Sequence, residues 1–244
     1  MQRLILKSKQ ERVKSGVGGL DTVIGGGLRP HTVNVVFGNT GCGKSTFAWN
    51  FVEEAGNNPA LYVSLEQSLH EIVRESKSLG LDVFEKKVKN GTLHFHHAIT
   101  NDSEMTAGEV SMNFLIRELP QHLKALRAAA AGYEGGIRIV IDPLTPLLFE
   151  VEGLNQLRNI LSQIFSNLRS IGTTVITLEK GFDEVLARLP LYLGDSVFEL
   201  DYLGLGGALS RTIQIRKMRG SKHSEKPHPL SFETGKGLLV RQFA

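Results

Sequence analysis

Eight consecutive residues constrain this chain more than any others: Gly38-Asn39-Thr40-Gly41-Cys42-Gly43-Lys44-Ser45. The stretch before them, Thr32-Val33-Asn34-Val35-Val36-Phe37, is rich in β-branched residues and closed by a glycine, which predicts a buried strand. After them, Ser45 to Ala55 carries a helical pattern stopped at Gly56. A glycine-rich octapeptide between a strand and a helix is a phosphate-cradling loop. Its backbone N–H groups wrap the α- and β-phosphates while the helix presents its positive end to them. Gly38, Gly41 and Gly43 permit a path that side chains would obstruct. Thr40, Gly41, Cys42, Gly43 and Thr46 are candidate nucleotide contacts. Lys44 is expected to reach the β- and γ-phosphates, and the Ser45 hydroxyl is a candidate Mg2+ ligand. ATP with Mg2+ is the expected ligand.

The rest of the chain alternates strand and helix signals. Strands are expected at Ala60–Leu65, Leu93–Phe95, Ile137–Asp142 and Thr173–Leu178, with helices at Ser68–Leu79, 107–131 (bent at Pro120) and Asn155–Ser170. Such alternation predicts an α/β fold with a mainly parallel sheet covered on both faces. Ser196–Leu200 and Arg211–Ile215 alternate apolar and polar residues and suit antiparallel or edge strands near the C-terminus, joined by a turn at Gly204-Leu205-Gly206-Gly207. Asn101-Asp102-Ser103-Glu104 reads as an exposed loop. The lead-in Ser15-Gly16-Val17-Gly18-Gly19-Leu20-Asp21, followed by Gly25-Gly26-Gly27, implies backbone that approaches something closely. With no repeat and no evident linker, one domain over residues 1–244 is the economical expectation, with 1–31 as a basic lead-in.

Composition narrows the class further. Hydrophobic residues make up 41% and charged residues 22%, an ordinary globular balance that one core can satisfy. The lone cysteine, Cys42, rules out an internal disulfide and suits a reducing compartment such as the cytoplasm. No apolar run is long enough for a membrane span, and the N-terminal apolar stretch is too short for a signal peptide. Net charge is only +3, but the cations cluster: Arg3, Lys7, Lys9, Arg12 and Lys14 at one end, and Arg211, Arg216, Lys217, Arg219, Lys222 and Lys226 near the other. Either cluster suits phosphates or a solvated basic edge.

Three further features carry chemistry. Asp142 ends an apolar strand at the edge where open α/β sheets bind ligands; a carboxylate there can hold Mg2+ through water, opposite Ser45. Glu66 ends the strand after the loop helix, and spacing alone leaves it equally a water-polarising base or a helix-starting residue. Lys217 and Arg219, two apart on a strand, point the same way, either toward a phosphate or along a basic edge. His94, His96 and His97 lack partners at metal-binding spacing, so packing is the better account.

These residues together resemble the KaiC-like ATPases of the RecA/RadA superfamily. The likeness covers nearly the whole chain: the SGVGGLD lead-in and triple glycine, the phosphate loop, Tyr62-Val63-Ser64-Leu65-Glu66, Ile141-Asp142 and Lys217-Met218-Arg219-Gly220-Ser221 come in the family's order. The resemblance implies a RecA-like core that assembles into a ring, usually a hexamer, with ATP at subunit boundaries. It implies that Glu66 activates water and that Lys217 and Arg219 reach a neighbour's nucleotide. Met218, Ser221 and His223 would then lie near that nucleotide too. One departure stands out: the family usually has two consecutive glutamates where this chain has Glu66-Gln67, so slow hydrolysis is expected. No residue matches a phosphoacceptor, and autophosphorylation is not carried over. Two other readings stay open: a RadA-paralogue-like protein binding single-stranded DNA through its basic N-terminus and the Asn101–Ala107 loop, and a nucleotide-gated scaffold with little turnover and an unknown protein partner.

Overall fold

A computed structural model describes residues 12–97, 112–121, 126, 136–205 and 208–241. Among the described residues the chain builds one nine-stranded sheet in the order β3-β2-β4-β5-β1-β6-β7-β8-β9. In chain order the strands are β1 Val33–Gly38, β2 Ala60–Ser64, β3 Leu93–His97, β4 Ile137–Asp142, β5 Gly172–Glu179, β6 Ser196–Leu205, β7 Ala208–Met218, β8 His228–Glu233 and β9 Gly237–Val240. From β3 across to β6 every pairing is parallel; from β6 to β9 every pairing is antiparallel. The helices are α1 Leu20–Val23, α2 Lys44–Glu53, α3 Leu69–Ser78, α4 Val83–Lys89, α5 Thr145–Phe149, α6 Leu154–Ile171 and α7 Glu184–Leu193.

β1, β2, β4 and β5 are almost fully buried and mostly apolar because both their faces are covered, whereas the edge strand β3 carries three histidines and is only partly buried. Val36, Tyr62, Val140 and Val175 face one core, shared with Phe47 and Phe51 of α2 and with Phe84 of α4. The alternate residues Val35, Leu61, Val63, Ile139, Ile141 and Ile176 face the other core, which α6 closes. Leu157, Leu161, Ile164, Phe165, Leu168 and Ile171 form its buried stripe at helical spacing. α3 starts with a reciprocal cap, in which the Ser68 hydroxyl accepts from Glu71 N while the Glu71 carboxylate accepts from Ser68 N.

Several expectations are refined. β6 and β7 run past 196–200 and 211–215, so Gly204 and Leu205 belong to the ladder, opposite Leu209 and Ala208. The remaining turn residues, Gly206 and Gly207, lie outside the described residues, as do Asn101–Glu104, Arg3, Lys7, Lys9 and most of the helix expected over 107–131. Its described part departs from α geometry at the π-helical turn Phe114–Glu118, just before Pro120. A proline ring meets the carbonyl four residues back, here Ile116, and widening that turn relieves the clash. α1, α4, α5, α7, β8 and β9 were not anticipated. α4 is pinned by Lys87, whose buried ammonium donates to the carbonyls of Gly56 and Asn58, both at 2.8 Å. Among the described residues no helix is long and apolar enough to cross a membrane.

The glycine-rich lead-in threads between α2 and β9. Gly18 N donates to Leu238 O at 3.1 Å, and Val240 N donates to Gly18 O at 2.7 Å. A Cβ on Gly16 would stand 2.0 Å from the Asn50 carbonyl oxygen of α2, at a φ of +76°. Gly56 has a similar φ of +55° but open space around it. Gly16→Ala is therefore expected to lose at least about 3 kcal/mol in a denaturant melt, against about 1 kcal/mol for Gly56→Ala. Equal losses would mean that backbone conformation alone, not close approach, fixes the lead-in.

Candidate functional site

Parallel register brings the chemistry to one edge. Gly38 pairs with Glu179 of β5 and with Leu200 of β6, while Ser64 pairs with Asp142, so the carboxyl ends of β1, β2, β4 and β5 lie along one edge, which β6 runs past to Leu205. The phosphate loop leaves β1 at this edge, with Gly41 at φ +76° and Gly43 at φ +111°, and α2 begins at Lys44. Thr40, Gly41, Gly43, Lys44, Ser45 and Thr46 form one side of a cavity of about 430 Å3. Glu66, Gln67, Glu75, Asp142, Glu179 and Phe232 are on the other side.

The Lys44 side chain is 7% exposed and its ammonium is fully engaged: it donates to Gly38 O at 3.0 Å and Asn39 O at 2.9 Å, and pairs with Glu179 Oε1 at 2.8 Å. Ser45 Oγ donates to Asp142 Oδ1 at 3.3 Å. Asp142 also accepts from Tyr62 through Oδ2 and from Thr177 through Oδ1. Burial pushes its carboxyl up, and the donors Thr177, Tyr62 and Ser45, with Lys44 nearby, hold it down. Partial burial, then the charges of Asp142 and Glu179, push Glu66 up, while Lys44 opposes them. A hydroxyl beside a carboxylate is a hard oxygen donor pair that suits Mg2+, so Ser45 and Asp142 fit that ion. Gln67 does not extend the acidic edge: its Nε2 donates to Glu75 Oε2 at 3.0 Å.

Other expected residues lie elsewhere. The Cys42 side chain is fully buried in the core under α2, so only its backbone lies in the loop. Lys217 and Arg219 do converge, on the Tyr192 carbonyl at the end of α7, at 2.7 and 3.2 Å. β7 ends at Met218, so Arg219 lies one residue beyond the strand. Both cations line a separate cavity with Phe37, Leu191, Tyr192, Val197 and Arg216, not the loop's. The Met218 side chain is buried in the core. Ser221 Oγ accepts from Arg12 at 2.7 Å, and the His223 ring meets Ser221 O at 3.4 Å. One chain therefore gathers Lys44, Ser45, Glu66 and Asp142, but not the 217–223 group, around its phosphate loop. His96 stacks on Phe114, and among the described residues no group of three or more metal-ligating side chains forms.

Sequence reasoning missed three contributors and read a fourth only as one cation of a basic cluster. Glu179 was legible in principle, as a carboxylate at the end of a strand, the same signal that singled out Asp142. Tyr62 and Thr177 give no signal, since only the register points them at Asp142. The fourth is Arg211, whose guanidinium lies 5.3 and 5.0 Å from the ring centres of Tyr202 and Phe232. Tyr202 OH donates to Gly41 O at 2.8 Å, fastening this cluster to the loop.

Comparison with known proteins converges on one family. The model for "ATPase: KaiC" matches residues 13–243. The chain is 30% identical over 225 residues to the circadian clock protein KaiC2 of Synechocystis, covering 90% of this chain but only 38% of that protein. It is 29% identical over 242 residues to a UPF0273 protein of Thermotoga maritima, covering 94% of this chain and 96% of that one. The crystal structure of a KaiC-like protein from Pyrococcus horikoshii superposes with a TM-score of 0.75 at 27% identity, covering 96% of this chain and all of that one. With its phosphate loop, its strand-end acids and a family match over almost its entire length, the chain belongs to the KaiC family of RecA-type ATPases.

Proposed function

We propose that the chain is one RecA-like unit of a homo-oligomer that binds ATP between subunits and hydrolyses it slowly, serving a regulatory role in a reducing compartment. The observation that carries this reading is a charge imbalance: among the described residues lining the loop's cavity, Glu66, Glu75, Asp142 and Glu179 face a single cation, Lys44. A triphosphate adds negative charge to a site already acidic, so more positive charge has to come from outside it. Lys217 and Arg219, paired on another face, are suited to supply it to the next copy.

In this reading the loop's N–H groups and Lys44 hold the phosphates, and Ser45 with Asp142 orients the ion. Bound Mg2+ would neutralise charge on the β- and γ-phosphates. Glu66 polarises the attacking water, and Phe232 with Arg211 offers a flat cationic surface beside the loop for the base. Single-stranded DNA is less favoured. The exposed Phe149 packs on Phe182 at the same strand edge, but Glu152, Asp183 and Glu184 lie exposed close by in sequence and would repel phosphates.

Lys44→Ala is expected to abolish ATP binding in calorimetry. Glu66→Gln is expected to keep binding while turnover falls by at least about a hundredfold, within the usual contribution of a general base. Normal turnover by Glu66→Gln would remove its assigned role.

Because the Glu66 carboxyl is raised, it takes up its proton at higher pH than the ordinary 4.5. Hydrolysis is therefore lost as pH falls through a limb lying above 4.5, and any turnover left in Glu66→Gln lacks that limb. A limb unchanged in the variant would assign it to another group.

Light scattering should give a larger species with ATP and Mg2+ than a monomer. Lys217→Ala with Arg219→Ala is expected to cut turnover by at least about a hundredfold with nucleotide still bound. A strict monomer under every nucleotide condition overturns the shared site.

A further inference from the structure

We propose that Glu179 makes nucleotide binding selective for the metal-chelated triphosphate, by holding Lys44 against any anion that arrives without a divalent cation. This rests on the phosphate loop being the nucleotide site.

An ammonium has three N–H donors, and Lys44 spends all three: on Gly38 O, on Asn39 O and on Glu179 Oε1 at 2.8 Å. The pair is sheltered, with the Lys44 side chain 7% exposed and Glu179 31% exposed. Glu179 is not on a loop that can swing aside. It ends β5 directly opposite Gly38, its N–H donates to Thr145 Oγ1 at 3.0 Å, and Thr40 Oγ1 donates to its Oε2 at 3.4 Å. A phosphate oxygen that claims Lys44 must displace one of these three acceptors; displacing the carboxylate, the one carried on a rotatable side chain, leaves its charge in the cavity beside Glu66 and Asp142. Metal-free ATP then meets these carboxylates and Glu75, with Lys44 the one cation among the described residues lining the cavity. The chelated form arrives with much of its charge neutralised and tolerates them. Discrimination of this kind uses repulsion against the wrong ligand rather than added attraction to the right one.

The test is calorimetry of the full-length chain with ATP in excess EDTA and with ATP in excess Mg2+. The unaltered chain should bind the Mg2+ form at least about tenfold more tightly. Glu179→Gln keeps the side chain's size and its contact with Thr40 but removes the charge. It should tighten metal-free ATP by about tenfold and change the Mg2+ form by less than about threefold. Glu179→Asp, which keeps the charge, should restore most of the selectivity. A Glu179→Gln protein with the parent's selectivity, or with both affinities moved equally, overturns the proposal; so does loss of Mg2+–ATP binding at an unchanged melting temperature. Should Glu179→Gln fail to fold, equal affinities of the unaltered chain for the two forms are enough to overturn it. Absence of any ATP binding by the unaltered chain would instead take down the nucleotide site itself, an outcome distinct from binding without selectivity.

Discussion

The parallel register of β1 against β5, with Gly38 opposite Glu179, is the constraint on which the site depends. A shift of one residue would turn the Glu179 side chain to the opposite face of the sheet and break its pair with Lys44. It would also turn Thr177 away from Asp142 and exchange the residues facing the two cores, exposing neither set to a suitable partner. Packing and chemistry are thereby fixed together: the alternation that buries Val175 on one face and Ile176 on the other also aims the strand-end acids. Register of this kind is held by both buried faces at once, which is why short strands suffice to position a site.

Around that edge the chain separates opposite charges. Lys180 follows Glu179 and bridges to Glu199 and Asp201 of β6, and Glu199 in turn holds Arg216 of β7. Asp201 also accepts from Asn39 of the phosphate loop at 2.9 Å. The loop is thus connected through an ionic ladder to the strand that presents Lys217. Such networks are worth more in fixing geometry than in net stability. Their place here, between the acidic cavity and the basic one, makes them part of how the two faces keep a fixed relation.

Much of this was legible in the sequence because the features concerned are local. The phosphate loop needs its glycines and its flanking strand and helix within twenty-odd residues, and Asp142 and Glu66 announce themselves as acids ending apolar runs. Alternating strand and helix signals gave the mainly parallel sheet, and the family's order of motifs added the expectation of a RecA-like core. What was hidden depends on contacts distant in sequence. Tyr62 reads as one more strand residue until β2 is laid beside β4. α7 was hidden by Pro190, a residue that normally breaks a helix, and by a surface so shallow that Pro190 is its only buried residue. The spacing of Lys217 and Arg219 gave their common direction but not their target, since two residues on one face say nothing about which cavity that face borders.

The weave of the lead-in through β9 has a consequence for how the molecule comes apart. Gly18 is bonded to Leu238 and Val240, β9 pairs with β8, and β8 carries Phe232 to the rim of the phosphate loop's cavity. Segments more than two hundred residues apart in sequence therefore form a single seam. A protease that nicked the backbone near Gly18 would release β9 from one side, loosen β8 behind it and leave Phe232 without its backing. Damage at one margin of the chain would be read out at the nucleotide's doorstep, far from the cut in sequence yet only two strands away in space.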